Sequence, residues 1–173
     1  MIKTIFIIIV VISFLILAGF FLLGNVSKND KPPGLLSGRL APCPDSPNCV
    51  VSEMIENDSH FISPVRYPAT MTEDSIDLVK QVIQEIGGVI TIEEEVYMAA
   101  IFTSKFFGFV DDLECRIDQA NHTIHLRSAS RVGHSDFGAN RKRVALITTL
   151  FQHKINTDVP RILPPSTNPT RQP

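Results

Sequence analysis

Asp111-Asp112-Leu113-Glu114-Cys115-Arg116-Ile117 and, a short way on, His125-Leu126-Arg127-Ser128-Ala129-Ser130-Arg131 decide the fold. Successive side chains of a strand point to opposite faces, so Asp112, Glu114 and Arg116 share one face while Leu113, Cys115 and Ile117 share the other. Positions 125, 127, 129 and 131 share a face in the same way. If Gln119 to His122 form the hairpin loop, Asp118 pairs with Thr123, Glu114 lies opposite Arg127, and Arg116 lies opposite His125. One face of this hairpin is charged and the other, on its first strand, is apolar.

Working outward, the β-rich runs Val89–Glu94, Val96–Ser104, Phe106–Asp118 and Thr123–Arg131 are close enough in sequence to form an antiparallel meander. Phe61–Tyr67 is a further short strand, and Pro64 within it suggests an edge or a bulge. Thr72 is a good N-cap, Glu73 and Asp74 suit the positive start of a helix, and Ile76, Val79, Val82, Ile83 and Ile86 recur on one face until Gly87-Gly88. A last helix, from Phe137 or Ala139 to Lys154, buries Val144, Ile147, Leu150, Phe151 and Ile155. Two amphipathic helices need an apolar surface, which the sheet supplies. The expected fold is α+β, in the order β-α-β-β-β-β-α, with an antiparallel sheet of about 4–5 strands and both helices on one face. The other face is expected to stay partly open. Phe106-Phe107-Gly108-Phe109 reads as core, with a ligand-binding strip as the lesser use, and Cys115 as an inert buried thiol.

Ahead of this domain, residues 5–23 are apolar except for the Ser13 hydroxyl. As a helix they span roughly the 30 Å hydrocarbon core, so the lipid bilayer is the expected partner of this stretch. A cleaved secretory signal is the rival reading, disfavoured by the length of the run and the lack of a small-x-small site. Flanking charges, Lys3 on one side and Lys28, Lys31 and Arg39 on the other, do not settle orientation. Cys43-Pro-Asp-Ser-Pro-Asn-Cys49 does: its prolines pre-bend a loop suited to a disulfide worth roughly 2 kcal/mol, stable only in an oxidising compartment such as the bacterial periplasm. Two free thiols are the alternative, and the spacing suits neither a redox pair nor a zinc site. The expectation is a single-pass inner-membrane protein facing the periplasm, with residues 1–24 as anchor, 25–40 as linker, 41–155 as one domain and 156–173 as a Pro-rich disordered tail. Val159, Ile162 and Leu163 would let the start of that tail dock. Only Lys3 of the 16 basic residues precedes the linker, so the 18 acidic residues leave the exposed part slightly negative and nucleic acid is not an expected partner.

Arg131-Val-Gly-His-Ser-Asp-Phe-Gly-Ala-Asn-Arg-Lys-Arg143 places cations at a helix start, where the macrodipole makes them unfavourable unless carboxylates or an anion compensate. Asp136, a plausible N-cap, offsets part of this. Arg127, Ser128, Ser130, Arg131, Ser135, Asn140, Arg141 and Arg143 are therefore the candidates to converge on an anionic small molecule or envelope component, with Asp111, Asp112, Glu114 and Asp136 as supporting carboxylates. The competing reading is an interaction or assembly module in which the same charges merely pair with one another. A small envelope hydrolase is a third, since Asp112, Glu114, His125 and Ser130 are residue types that do such work. No elbow, zinc or phosphate-loop motif supports it, and no catalytic residue, metal or cofactor is assigned. Complete pairing of the arginines would favour the second reading, and a Ser or Cys beside a histidine in a cleft the third.

Cys43-Pro-Asp-Ser-Pro-Asn-Cys49-Val together with Arg127-Ser-Ala-Ser-Arg-Val-Gly-His-Ser-Asp-Phe-Gly-Ala-Asn-Arg-Lys-Arg143 resembles the DUF 1499 family of bacterial envelope and plastid proteins, over about residues 40 to 155. The resemblance implies a single domain in a membrane or exported context and offers no activity to carry over. Asp111-Asp112 also looks like family pattern. His134 departs from it, a tyrosine being more typical there.

Overall fold

The computed structural model describes residues 1–54, 58–69, 71 and 74–158. Helix α1 (Ile2–Ser27) is followed by the short strands β1 (Leu35–Leu36) and β2 (Arg39–Leu40), then β3 (Cys49–Val51) and β4 (Val65–Arg66). Helix α2 (Asp74–Glu85), strands β5 (Val89–Glu93), β6 (Tyr97–Thr103), β7 (Val110–Asp118) and β8 (Thr123–Ser130), and helix α3 (Ala139–Asp158) complete the chain. The main sheet has six strands in five positions, ordered β3-β8-β7-β6-β5, with β4 beside β3 on the same edge of β8. All its pairings are antiparallel.

The central hairpin has the expected register: Asp118 pairs with Thr123, Arg116 with His125 and Glu114 with Arg127. The α+β class, the meander and the two helices also stand as expected. The sheet is larger because Cys49, read as the end of a proline-bent loop, begins an edge strand with Val50 and Val51, while the Phe61–Tyr67 strand contracts to Val65–Arg66. Helix α2 buries Leu78, Val79, Val82 and Ile83 and ends where Gly87 takes φ 89°, a conformation that costs glycine little. Thr72 and Glu73, and the side chain of Asp74, lie outside the described residues, as do Val159, Ile162 and Leu163. Helix α3 continues through residues 156–158, three residues into the stretch expected as tail.

Leu113, Cys115 and Ile117 of β7 join Ile124 and Leu126 of β8, Met98 of β6 and the stripes of α2 and α3 in the main core. Cys115 is free and buried, and burial with the neighbouring Glu114 charge pushes its thiol far above its ordinary pKa. It is inert in this setting.

The opposite face is covered over its centre, where it was expected to stay partly open. Leu40, Val51, Tyr97 and Ala99 form a second apolar cluster there, with Leu35, Cys43, Met54 and Ile92 packed around it. Residues 25–40, expected as a linker, supply the end of α1 and the β1–β2 hairpin to this cover. The disulfide between Cys43 and Cys49 is formed, with Cα atoms 5.6 Å apart, and closes the loop leading into β3.

Helix α1 is long and apolar enough to cross a membrane, and none of its apolar window is buried in the protein. Its last turns nevertheless contact the domain. Ser27 Oγ donates to the Gly24 carbonyl and accepts the Val110 N–H at 3.0 Å. Phe107 packs in a tilted contact on Phe20 and edge-on against Phe21, with ring centroids 5.2 and 5.3 Å apart, and Phe109 meets Phe20 edge-on. The aromatic stretch expected in the core thus divides: Phe107 and Phe109 pack on α1, and Phe106 is 86% exposed.

Candidate functional site

Asp111 and Asp112 are consecutive on β7, so their side chains leave the sheet on opposite sides. Each finds an arginine from the downstream segment. On the helix-covered side, Asp111 Oδ2 accepts Arg143 Nη2 at 2.7 Å. Arg143 Nη1 also donates to Ser128 Oγ at 3.0 Å and to Asn140 Oδ1, and the guanidinium lies 4.5 Å from the Phe102 ring centroid. On the other side, Asp112 accepts both Arg131 Nη2 and Nε, at 2.7 and 2.9 Å, in a bidentate fork. Arg131 Nη1 reaches the Ser27 carbonyl at 3.2 Å, so the same side chain closes the C-terminal end of α1.

Glu114 lies deeper on that second face and is fully buried. Its carboxylate accepts Arg127 Nη1 at 2.7 Å, the Tyr97 hydroxyl at 2.8 Å and the Gly34 N–H at 3.0 Å. The last of these fastens the segment after α1 onto the sheet. Burial first, and then the Glu114 charge, hold Tyr97 firmly in its protonated, donating form. Further along the face Glu53 receives Arg116 Nη2 at 2.6 Å and the Leu40 N–H at 2.6 Å.

The eight candidate residues therefore do not gather at one place. Arg127 and Arg131 stand on one face of the sheet, and Ser128, Ser130, Asn140 and Arg143 on the other. The strand period that joins Arg127 to Arg131 sends Ser128 and Ser130 the opposite way. Asn140 is fully buried and organises the second group: its Nδ2 donates to Ser130 Oγ and to the Asn48 carbonyl, and its Oδ1 accepts from Ser128. Asp136 is the helix cap, its carboxylate accepting the Gly138 and Asn140 N–H groups at 2.9 and 2.7 Å. Ser135 accepts the Phe137 N–H. Arg141 differs from the other three arginines: it is exposed and, among the described residues, donates only to the Phe61 and Ser59 carbonyls. It borders two depressions, of about 100 Å³ against Pro47, His60 and Asp136 and about 500 Å³ between residues 61–63 and α3.

Three residues that the sequence reading passed over matter here. Glu53 takes the Arg116 charge, Asn48 anchors Asn140, and Ser52 Oγ lies 3.3 Å from His125 Nδ1. Ser52 Oγ also accepts the Leu126 N–H at 2.9 Å, which leaves its O–H free for His125, but neither residue of this pair lines the depressions just described, and a hydrolase would need a cleft there. Among the described residues no cluster of His, Cys, Asp or Glu is arranged to hold a metal ion.

Two groups on this face set a pH dependence. Burial alone raises the Glu53 pKa, but the Arg116 and Leu40 hydrogen bonds and the neighbouring charges outweigh it and hold the carboxyl below 4.5. His125 falls below 6.5, because burial disfavours the imidazolium more than Glu53 favours it. Both folded values lie below the unfolded ones, so each group contributes stability above its unfolded pKa and loses it as pH falls through the folded value. The melting temperature is expected to begin falling below about pH 6.5 and to fall further below pH 4.5. Thermal denaturation across this range checks it, with His125→Gln removing the first part of the decline.

These features define a two-layer α+β domain joined to one membrane-length helix, with Arg127, Arg131 and Arg143 paired internally on the two faces of the sheet. The chain belongs to the DUF1499 family, described as a protein of unknown function, whose model matches residues 39–151. Comparison with curated proteins and with solved structures finds no match.

Proposed function

We propose that this protein is a membrane-anchored structural or assembly module, retained on α1 and facing an oxidising compartment such as the periplasm, with its charged network serving to mount the domain on its own anchor. The observation that carries this reading is Arg131, which grips Asp112 with two donors and the Ser27 carbonyl with a third. A cleaved signal would take Phe20, Phe21 and Gly24 with it, although each contacts the domain. The Cys43–Cys49 bond supports the oxidising side of the membrane. An anionic ligand at Arg127, Arg131 and Arg143 is not favoured, because those guanidinium groups already meet Glu114, Asp112 and Asp111.

Arg131→Ala separates the two uses. On the mounting reading the melting temperature of the full chain in detergent drops, and inorganic phosphate leaves the wild-type melting temperature unchanged. A stable variant, with a wild type stabilised by phosphate, would reverse the assignment.

A second reading rests on Arg141. Its guanidinium meets no carboxylate among the described residues and faces the larger depression, which suits an acidic segment of a partner protein. Salt-sensitive capture of such a peptide, lost in Arg141→Ala, would support it.

A further inference from the structure

The loop between β6 and β7, residues 104–109, carries an exposed aromatic side chain that the charged network does not explain. Residues 5–23 of α1 extend roughly 28 Å as a helix, close to the thickness of bilayer hydrocarbon. The apolar run ends at Leu23, which places Phe20 about 4–5 Å inside that boundary. The loop meets α1 at this depth. Phe107 packs against Phe20 and Phe21, and its carbonyl lies so near Gly24 that a β-carbon there would stand 1.8 Å from the oxygen. Phe106, the preceding residue, touches little of the protein and is 86% exposed. Lysines stand on both sides of this aromatic pair, Lys105 in the loop and Lys28 alongside Gly108, where long stems can carry the charge up to headgroups while the rings stay in lipid. At the other end of β6, about 20 Å along the strand, the turn is acidic, Glu93-Glu94-Glu95.

We propose that the β6–β7 loop is a second lipid contact, with Phe106 and Phe107 immersed at the edge of the hydrocarbon beside α1, so that the domain is seated on the bilayer. The proposal rests on α1 being a retained span, and its test reads the two claims separately. Phe106→Cys, Ile12→Cys and Val96→Cys are made in the full chain, labelled with an environment-sensitive fluorophore and reconstituted in vesicles of phosphatidylcholine and phosphatidylglycerol. The native cysteines are occupied or buried, so each label reports one position. Brominated lipid should quench the labels at positions 12 and 106 severalfold more than the label at position 96, and aqueous iodide should quench only position 96. Lipid quenching at position 12 with iodide quenching at position 106 would overturn the loop contact and leave the anchor standing. Iodide quenching at position 12 would overturn the anchor itself, and the loop contact with it.

Discussion

Arg127→Ala is expected to cost about 3–5 kcal/mol of unfolding free energy, because it leaves a buried carboxylate without its cation. Glu114 has no exposed surface, and the Tyr97 hydroxyl and Gly34 N–H that remain are neutral donors. The pair itself need not be worth so much. Two ions removed from water regain little more than their desolvation cost, so replacing both by apolar residues of similar size is often neutral. Arg127 Nε is also buried without a hydrogen bond, a local cost that disappears with the side chain. Arg127→Met combined with Glu114→Leu should therefore recover much of the loss. Urea denaturation of the full chain in mild detergent measures both. A double-variant loss equal to the sum of the Arg127→Met and Glu114→Leu single losses would mean that Glu114 and Arg127 are not coupled.

Gly24→Leu is the second large effect. The new β-carbon would meet a backbone oxygen of the β6–β7 loop, which has no flexible end to move aside, so α1 or the loop must shift. Overpacking of this kind costs about 1–3 kcal/mol. Gly24 lies outside both apolar clusters, so the domain should stay folded while its contact with α1 opens. Hydrogen exchange at the Val110 amide reads that contact directly, since its acceptor is Ser27 Oγ. The amide should exchange much faster in Gly24→Leu, and unchanged protection would show that α1 does not hold the loop.

Periodicity made the centre of this fold legible and grew weaker toward its margins. Alternation through residues 111–117 and 125–131 assigned the faces of β7 and β8, and placing Gln119–His122 in the hairpin loop then gave their register, which a slip of one residue would invert. The apolar stripes of α2 and α3 were equally clear. Strand β3 escaped because three residues are too few to alternate visibly and prolines precede them. The cover on the second face escaped for a different reason. Its polar, Gly/Pro-rich sequence carries no period, and it is held by single contacts such as Gly34 to Glu114 and Leu40 to Glu53.

The candidate site shows the same limit. Each charged residue was visible, and Asp136 was recognisable as a cap, but deciding which arginine meets which carboxylate requires the face of every position. Applying the period of two to Ser128 and Ser130 would have separated them from Arg127 and Arg131. A further signal lay in α1. Phe20, Gly24 and Ser27 fall on one side of a helix, and two small residues at that spacing beside an aromatic mark a close approach by another segment. In a helix read by hydropathy alone they look like the fading end of an apolar run.

The bond from Ser27 to Val110 and the grip of Arg131 on the end of α1 leave no free joint between rod and head. Such a molecule behaves as a key and not as a tethered ball: a twist of the rod about its long axis swings the whole head through the same angle. If α1 is retained as a span, as proposed above, a neighbour that grasped only this shaft would thereby steer which side of the head points along the surface.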